Sequence, residues 1–122
     1  MEAKTKKGMV IKVSDVKSVL PPKHTNTDSW GLVLPKVTGN KAFEFWLTEM
    51  RPGAATEMDT HPISEHLYFI ISGRGKAYVE GDEFDLEPGV CLYMPEGAEH
   101  RLDVVGTETL RFVVVFAPAR AL

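Results

Sequence analysis

The stretch Gly89-Val90-Cys91-Leu92-Tyr93-Met94-Pro95-Glu96-Gly97-Ala98-Glu99-His100 sets a strand-forming run between two turn signals and ends on a histidine. Pro88-Gly89 opens a strand over 90–94, and the turn that starts at Pro95 delivers one imidazole at the start of the next strand. The same grammar extends outward in both directions. Apolar and β-branched runs of strand length lie at 9–13, 30–34, 42–50, 66–71, 76–80, 90–94, 101–105 and 109–116. Glu80-Gly81-Asp82-Glu83 reads as a hairpin tip, and Thr38-Gly39-Asn40 as a link between two strands. Ten glycines and eight prolines are spread along the chain rather than gathered in one linker. This predicts about eight to ten short antiparallel strands in a sandwich or barrel, an all-β fold. A helix of a turn or two is expected only at 14–20, after a cap at Ser14 or Asp15. Residues 21–29 carry few apolar groups and predict a surface loop able to lie over an opening.

With 122 residues, 43% apolar and 25% charged, the chain has material for one core and is read as a single domain over 1–122. Within it, 1–29 form an N-terminal strand and loop and 30–118 the barrel core. A formal charge of −3 with no long run of either sign argues against a nucleic-acid or anionic-membrane partner, since counterion release needs clustered Lys and Arg. No apolar stretch approaches the roughly 18 residues of a membrane span. The first eight residues are charged and lack an apolar core, so they do not read as a secretory signal, and a reducing, cytoplasmic setting is expected. The single cysteine, Cys91, excludes an intrachain disulfide and a cysteine-rich zinc site. Any metal must be held by imidazole and carboxylate.

Three of the four histidines fall in two compact segments. One is the terminus of the stretch quoted above. The other is Asp59-Thr60-His61-Pro62-Ile63-Ser64-Glu65-His66, where residues two apart in an extended chain share a side, presenting Asp59 with His61. Across the turn at 62–65, His66 begins a strand and lies opposite them. Glu65 is a weaker candidate because alternation turns it away from His66.

These residues and spacings resemble the cupin superfamily. Gly89, Pro95, Gly97 and His100 fit every fixed position of its second motif, Gly-x5-Pro-x-Gly-x2-His. The first motif fits with departures: Gly53 stands two residues further out than expected, Asp59 replaces the leading histidine, His61 matches the second, His66 replaces glutamate, and Gly73 closes the motif. The resemblance implies a jelly-roll β-barrel, or double-stranded β-helix. It also implies a metal set of three imidazoles and one carboxylate, here Asp59, His61, His66 and His100, with the carboxylate moved to a different position. Such a set suits one divalent transition metal ion, Fe, Mn, Co, Ni, Cu or Zn, without choosing among them. Without Asp59, which also reads as a local cap before the turn, a three-histidine face with open positions remains. His24 reads as a solvated loop residue, with a place at the site as the alternative.

By parity with His66, Tyr68 and Ile70 point into the barrel and Leu67 and Phe69 outward. Tyr68 is the candidate catalytic residue, a general acid/base or substrate hydrogen-bond donor, against a buried tyrosine satisfied locally. In the run 42–50, either the face of Phe43, Phe45, Leu47 and Glu49 or that of Trp46 and Thr48 lines the cavity. Arg51, Arg74, Arg101 and Arg111 are candidates for binding a carboxylate, each also suited to the surface. The resemblance implies a metal-dependent enzyme acting on a small oxygenated organic substrate, foremost a dioxygenase. The alternatives are a lyase or isomerase that does not use oxygen, and a non-catalytic ligand-binding module. It also implies a homodimer in which the apolar segment 9–13 adds to the partner's sheet.

Overall fold

A computed structural model describes residues 6–120 of the chain. Residues 1–5 of the charged N-terminal stretch read above lie outside them. Eight strands form: β1 (Thr27–Val33), β2 (Glu44–Met50), β3 (Glu65–Ser72), β4 (Arg74–Val79), β5 (Asp82–Leu86), β6 (Cys91–Met94), β7 (His100–Val105) and β8 (Leu110–Ala117). All pair antiparallel, in a five-stranded sheet of order β1-β2-β8-β3-β6 and a three-stranded sheet of order β5-β4-β7. Consecutive strands change sheets at β3–β4, β5–β6, β6–β7 and β7–β8, which winds the chain into the expected jelly roll.

The corners explain why the breaks fall where they do. Gly73, between β3 and β4, has φ +84°, and a Cβ there would stand 2.4 Å from the Thr109 carbonyl oxygen. Any other residue would meet both the left-handed backbone and that clash. Strand alternation then sorts the side chains. His66, Tyr68 and Ile70 of β3 face inward, as do Leu110, Phe112, Val114 and Phe116 of β8, while Phe69 is exposed. On β2 the inward-facing buried set is Glu44, Thr48 and Met50, with Trp46 packed against the core, and Leu47 is buried on the opposite face. Met50, Ile70, Leu86, Leu102, Leu110 and Phe112 are fully buried and close one end of the barrel, each contributing about 1.5–3 kcal/mol by leaving water. The histidines sit toward the other end.

Three local expectations are corrected. Residues 9–12 form no strand within the chain, because no neighbouring strand offers them a ladder, and Met9 and Val10 are exposed. The helix expected at 14–20 shrinks to a 3-10 turn, Val13–Asp15. Val16 and Val19 disfavour helix, Leu20 precedes Pro21 and is driven extended, and Val19 bridges Ser29 instead. The surface loop ends sooner than expected, because Thr27, Asp28 and Ser29 already belong to β1. A one-turn helix, α1 (Pro35–Thr38), also precedes the Gly39 link, with proline opening it and Gly39 at φ +75° closing it.

Candidate metal centre

The two histidine segments are stitched together by backbone. The Asp59 N–H donates to the His100 carbonyl and the His100 N–H donates back to the Asp59 carbonyl, both at 2.9 Å. Two residues on, the Gly97 N–H donates to the His61 carbonyl at 2.8 Å. His66 enters from β3, in register with Met94 on one side and Phe116 on the other. As a result His61, His66 and His100 converge, each offering a ring nitrogen within 4.8 Å of the others. Ring centroids lie 5.0 Å apart for His61 and His66, 5.2 Å for His61 and His100, and 4.6 Å for His66 and His100.

His66 and His100 are buried and His61 is partly so. The His100 Nδ1 lies 3.1 Å from the Ala98 carbonyl oxygen; with Nδ1 as the donor, Nε2 keeps its lone pair. Neither ring nitrogen of His66 has a hydrogen-bond partner among the described residues. A buried polar group left in that state costs about 1–3 kcal/mol, so the ring calls for a partner that the described residues do not supply. Protonation does not relieve it. Burial, reinforced by His100 and His61, pushes the His66 imidazolium down to about 3, and burial with His100 also lowers His61. These rings are neutral near pH 7, the form that donates to a metal. Three clustered imidazoles, one with an orphaned buried nitrogen pair, fit a divalent transition ion.

Asp59 stands at the margin of this group. Its Oδ1 accepts from Lys23 Nζ at 3.1 Å and from the Thr60 N–H at 2.9 Å, and its Oδ2 is 3.9 Å from His61 Nε2. Burial would raise its carboxyl, but these donors outweigh it and hold it below the ordinary range. Tyr68 is buried, its ring 5.5 Å from that of His66, and its hydroxyl has no hydrogen-bond partner among the described residues. Burial pushes that phenol up, so it stays a proton donor.

His61 and His100 open into a cavity of about 260 Å³, walled also by Val19, Trp46, Tyr68, Phe112, Val114 and Phe116, with His66 buried behind Phe116 and Tyr68. Of the two faces weighed for the strand at 42–50, the Trp46 and Thr48 face lines it. Thr48 shares a 2.7 Å hydrogen bond with Ser29, a hydroxyl pair set among the apolar wall residues. Pro21, Pro22, Lys23 and His24 line the cavity too, as expected for a loop lying over an opening. His24 is therefore a wall residue rather than a solvated one. Its Nδ1 lies 2.8 Å from the Pro22 carbonyl, and its backbone bridges Thr56.

The four arginines singled out in the sequence do not reach the cavity. Arg51, Arg74, Arg101 and Arg111 pair with Asp28, Glu87, Asp103 and Glu49. Arg120 does reach it, through an ion pair with the fully buried Glu44. Extending the inward parity of Trp46 and Thr48 back to Glu44 would have signalled a buried carboxylate in need of a cation. It would not have said which one.

The family model of the cupin domain matches residues 46–116. The chain is 31% identical over 107 residues to "Polyketide synthase CurC" of Streptomyces cyaneus, covering 88% of this chain and 70% of that protein. Among solved structures it resembles a predicted oxalate decarboxylase from Thermotoga maritima, with TM-score 0.80, 20% identity, and coverage of 90% of this chain and 99% of that one. It also resembles the polyketide cyclase RemF from Streptomyces resistomycificus, with TM-score 0.79, 23% identity, and coverage of 95% and 80% respectively. The two structural likenesses speak to the fold.

Proposed function

The chain belongs to the cupin family, and from that premise we propose that it is a metal-dependent enzyme acting on a small oxygenated organic substrate. The observation that carries this reading is the unpartnered, buried His66, joined by His61 and His100 at the edge of an apolar cavity. These three residues would hold one divalent ion of the series Fe, Mn, Co, Ni, Cu or Zn, and Asp59 would be a fourth ligand if it left Lys23. Such an ion supplies Lewis acidity toward a carbonyl or enolate oxygen and, if redox-active, reactivity toward dioxygen. The chain supplies the rest. The aromatic and aliphatic wall excludes water, and the Tyr68 hydroxyl donates a hydrogen bond or proton to a substrate oxygen.

The oxygen-using form of this reading is a dioxygenase. A second form, metal-assisted cyclisation or elimination without oxygen, is favoured by the likeness to a polyketide synthase protein. Turnover of a 1,3-diketone or catechol-type compound by iron-loaded protein, followed in an oxygen electrode and repeated under argon, separates them. Oxygen uptake matched to product supports the dioxygenase, and equal product in air and argon supports the second form. Binding without turnover under both leaves a ligand-binding module and overturns the enzyme. Tyr68→Phe is expected to lower kcat about a hundredfold with metal content unchanged, within the range for a lost proton donor.

A homodimer is part of the proposal. Phe69, Ile71 and Tyr93 are exposed together on the outer face of β3 and β6, and Met9 and Val10 lie uncovered in a segment with no strand partner of its own. Light scattering at micromolar concentration is expected to give twice the 13.5 kDa chain mass, and a monomeric mass overturns it. The net charge of −3 speaks against a nucleic-acid partner, and among the described residues no helix is long and apolar enough to cross a membrane. A cytoplasmic setting fits the free thiol of Cys91.

A further inference from the structure

Glu44 is fully buried yet fully engaged. Its Oε2 accepts from the Arg120 backbone N–H at 2.6 Å and from Arg120 Nε at 3.0 Å, while its Oε1 accepts from Arg120 Nη2 at 3.1 Å and Trp46 Nε1 at 3.0 Å. Glu44 thereby holds the guanidinium in one orientation, bidentate on two nitrogens, and Nη1 is the nitrogen it does not engage. The guanidinium carbon lies 3.6 Å above the centre of the Phe116 ring. Phe116 in turn stacks on His66, centroids 4.9 Å apart and planes 8° from parallel. Arg120 is thus one aromatic ring away from the histidine cluster, on the wall of the same cavity.

Tying down the C-terminal segment does not account for this pair. That segment is already fastened by the Ala119 N–H on the Lys41 carbonyl at 3.1 Å and by Ser64 Oγ on the Pro118 carbonyl at 2.8 Å. An apolar pair would also fill the space without the desolvation penalty of two ions. A fixed guanidinium beside a ligand cavity is, by contrast, what recognition of an anionic oxygen requires. The charges agree. Glu44 cancels Arg120, Asp59 cancels Lys23, the three imidazoles contribute no negative charge, and Glu57 is the one further carboxylate among the described lining residues, so a cavity holding a divalent ion is still left net positive.

We propose that Arg120, positioned by Glu44, anchors a carboxylate or enolate oxygen of the substrate, which is therefore a small, largely apolar organic anion. The proposal rests on the enzyme reading for the cavity's purpose, but its test does not require turnover. The probes are 2-naphthoate and its neutral counterpart 2-naphthamide, titrated by calorimetry into zinc-loaded protein, with zinc content measured in each sample. Wild type is expected to prefer naphthoate, and Arg120→Gln to shrink that preference about ten- to a hundredfold, the value of a charged hydrogen bond. Because Arg120→Gln strands a buried carboxylate, Glu44→Gln with Arg120→Gln serves as the second variant, losing both charges together with the same expected loss of preference. A naphthoate preference carried entirely by zinc survives both variants and overturns the proposal, as does failure of naphthoate to bind wild type. Protein that takes up no zinc but still shows the Arg120-dependent preference keeps the anchor and overturns the metal reading alone.

Discussion

Alanine at position 66 is expected to abolish stoichiometric metal binding while leaving the barrel folded. His66 would contribute a lone pair from inside the core, where no donor of the described residues competes for it. Loss of even an outer-shell partner typically lowers metal affinity about 10- to 100-fold, so loss of one of three imidazoles should lower it by roughly a hundredfold or more. His61→Ala and His100→Ala should behave alike, because each of the three rings offers a nitrogen within 4.8 Å of the others. Asp59→Asn should lower affinity by less than about tenfold, the bottom of that same range, since its carboxylate is engaged by Lys23 and Thr60. Elemental analysis of protein purified without added metal, with circular dichroism as the folding control, reads the series. Full occupancy retained in any two histidine variants would remove the centre. An Asp59→Asn loss as large as the histidine losses would make the carboxylate a ligand.

The metal-free protein should lose stability steeply on mild acidification. Unfolded, the His66 imidazole takes up a proton near pH 6.5; folded, burial and the neighbouring histidines delay this to about 3. Between those values the unfolded chain binds a proton that the folded chain refuses, so stability rises with pH across this window and falls as pH drops through it. Over the whole window the separation is worth about 4–5 kcal/mol, and between pH 7.5 and pH 5 about 2 kcal/mol. His61 and His24, also lowered by burial, add to the loss with the same sign. Asp59 and Glu44, held below the ordinary carboxylate range, lose their contributions only at lower pH. Urea unfolding in the presence of a chelator at pH 7.5 and pH 5 measures the drop, and His66→Leu should remove its largest share. An unchanged midpoint at the two pH values would show that the ring is not held neutral in the folded protein.

Much of this molecule is legible in one dimension because β-structure writes its punctuation into the chain. Glycines at left-handed corners and period-two alternation depend on local backbone geometry, so the strand runs, the inward set His66, Tyr68 and Ile70, and the outward Phe69 follow from reading along the sequence. The convergence of residues 61, 66 and 100 was legible through motif spacing, since the turn at Pro95 places His100 at a strand start. Local rules failed at 9–13 and 14–20, where structure depends on what lies alongside: an apolar run with no neighbouring strand among the described residues stays unpaired, and Val19 is drawn into an extended bridge with Ser29 rather than a helix.

What only the folded chain decided are the pairings between distant side chains. Lys23 reaches across 36 residues to engage Asp59, and Arg120 across 76 to engage Glu44. An ion pair leaves no periodic trace, because any of several cations satisfies a carboxylate equally well in sequence. The choice falls to whichever one the closing barrel carries within hydrogen-bonding distance.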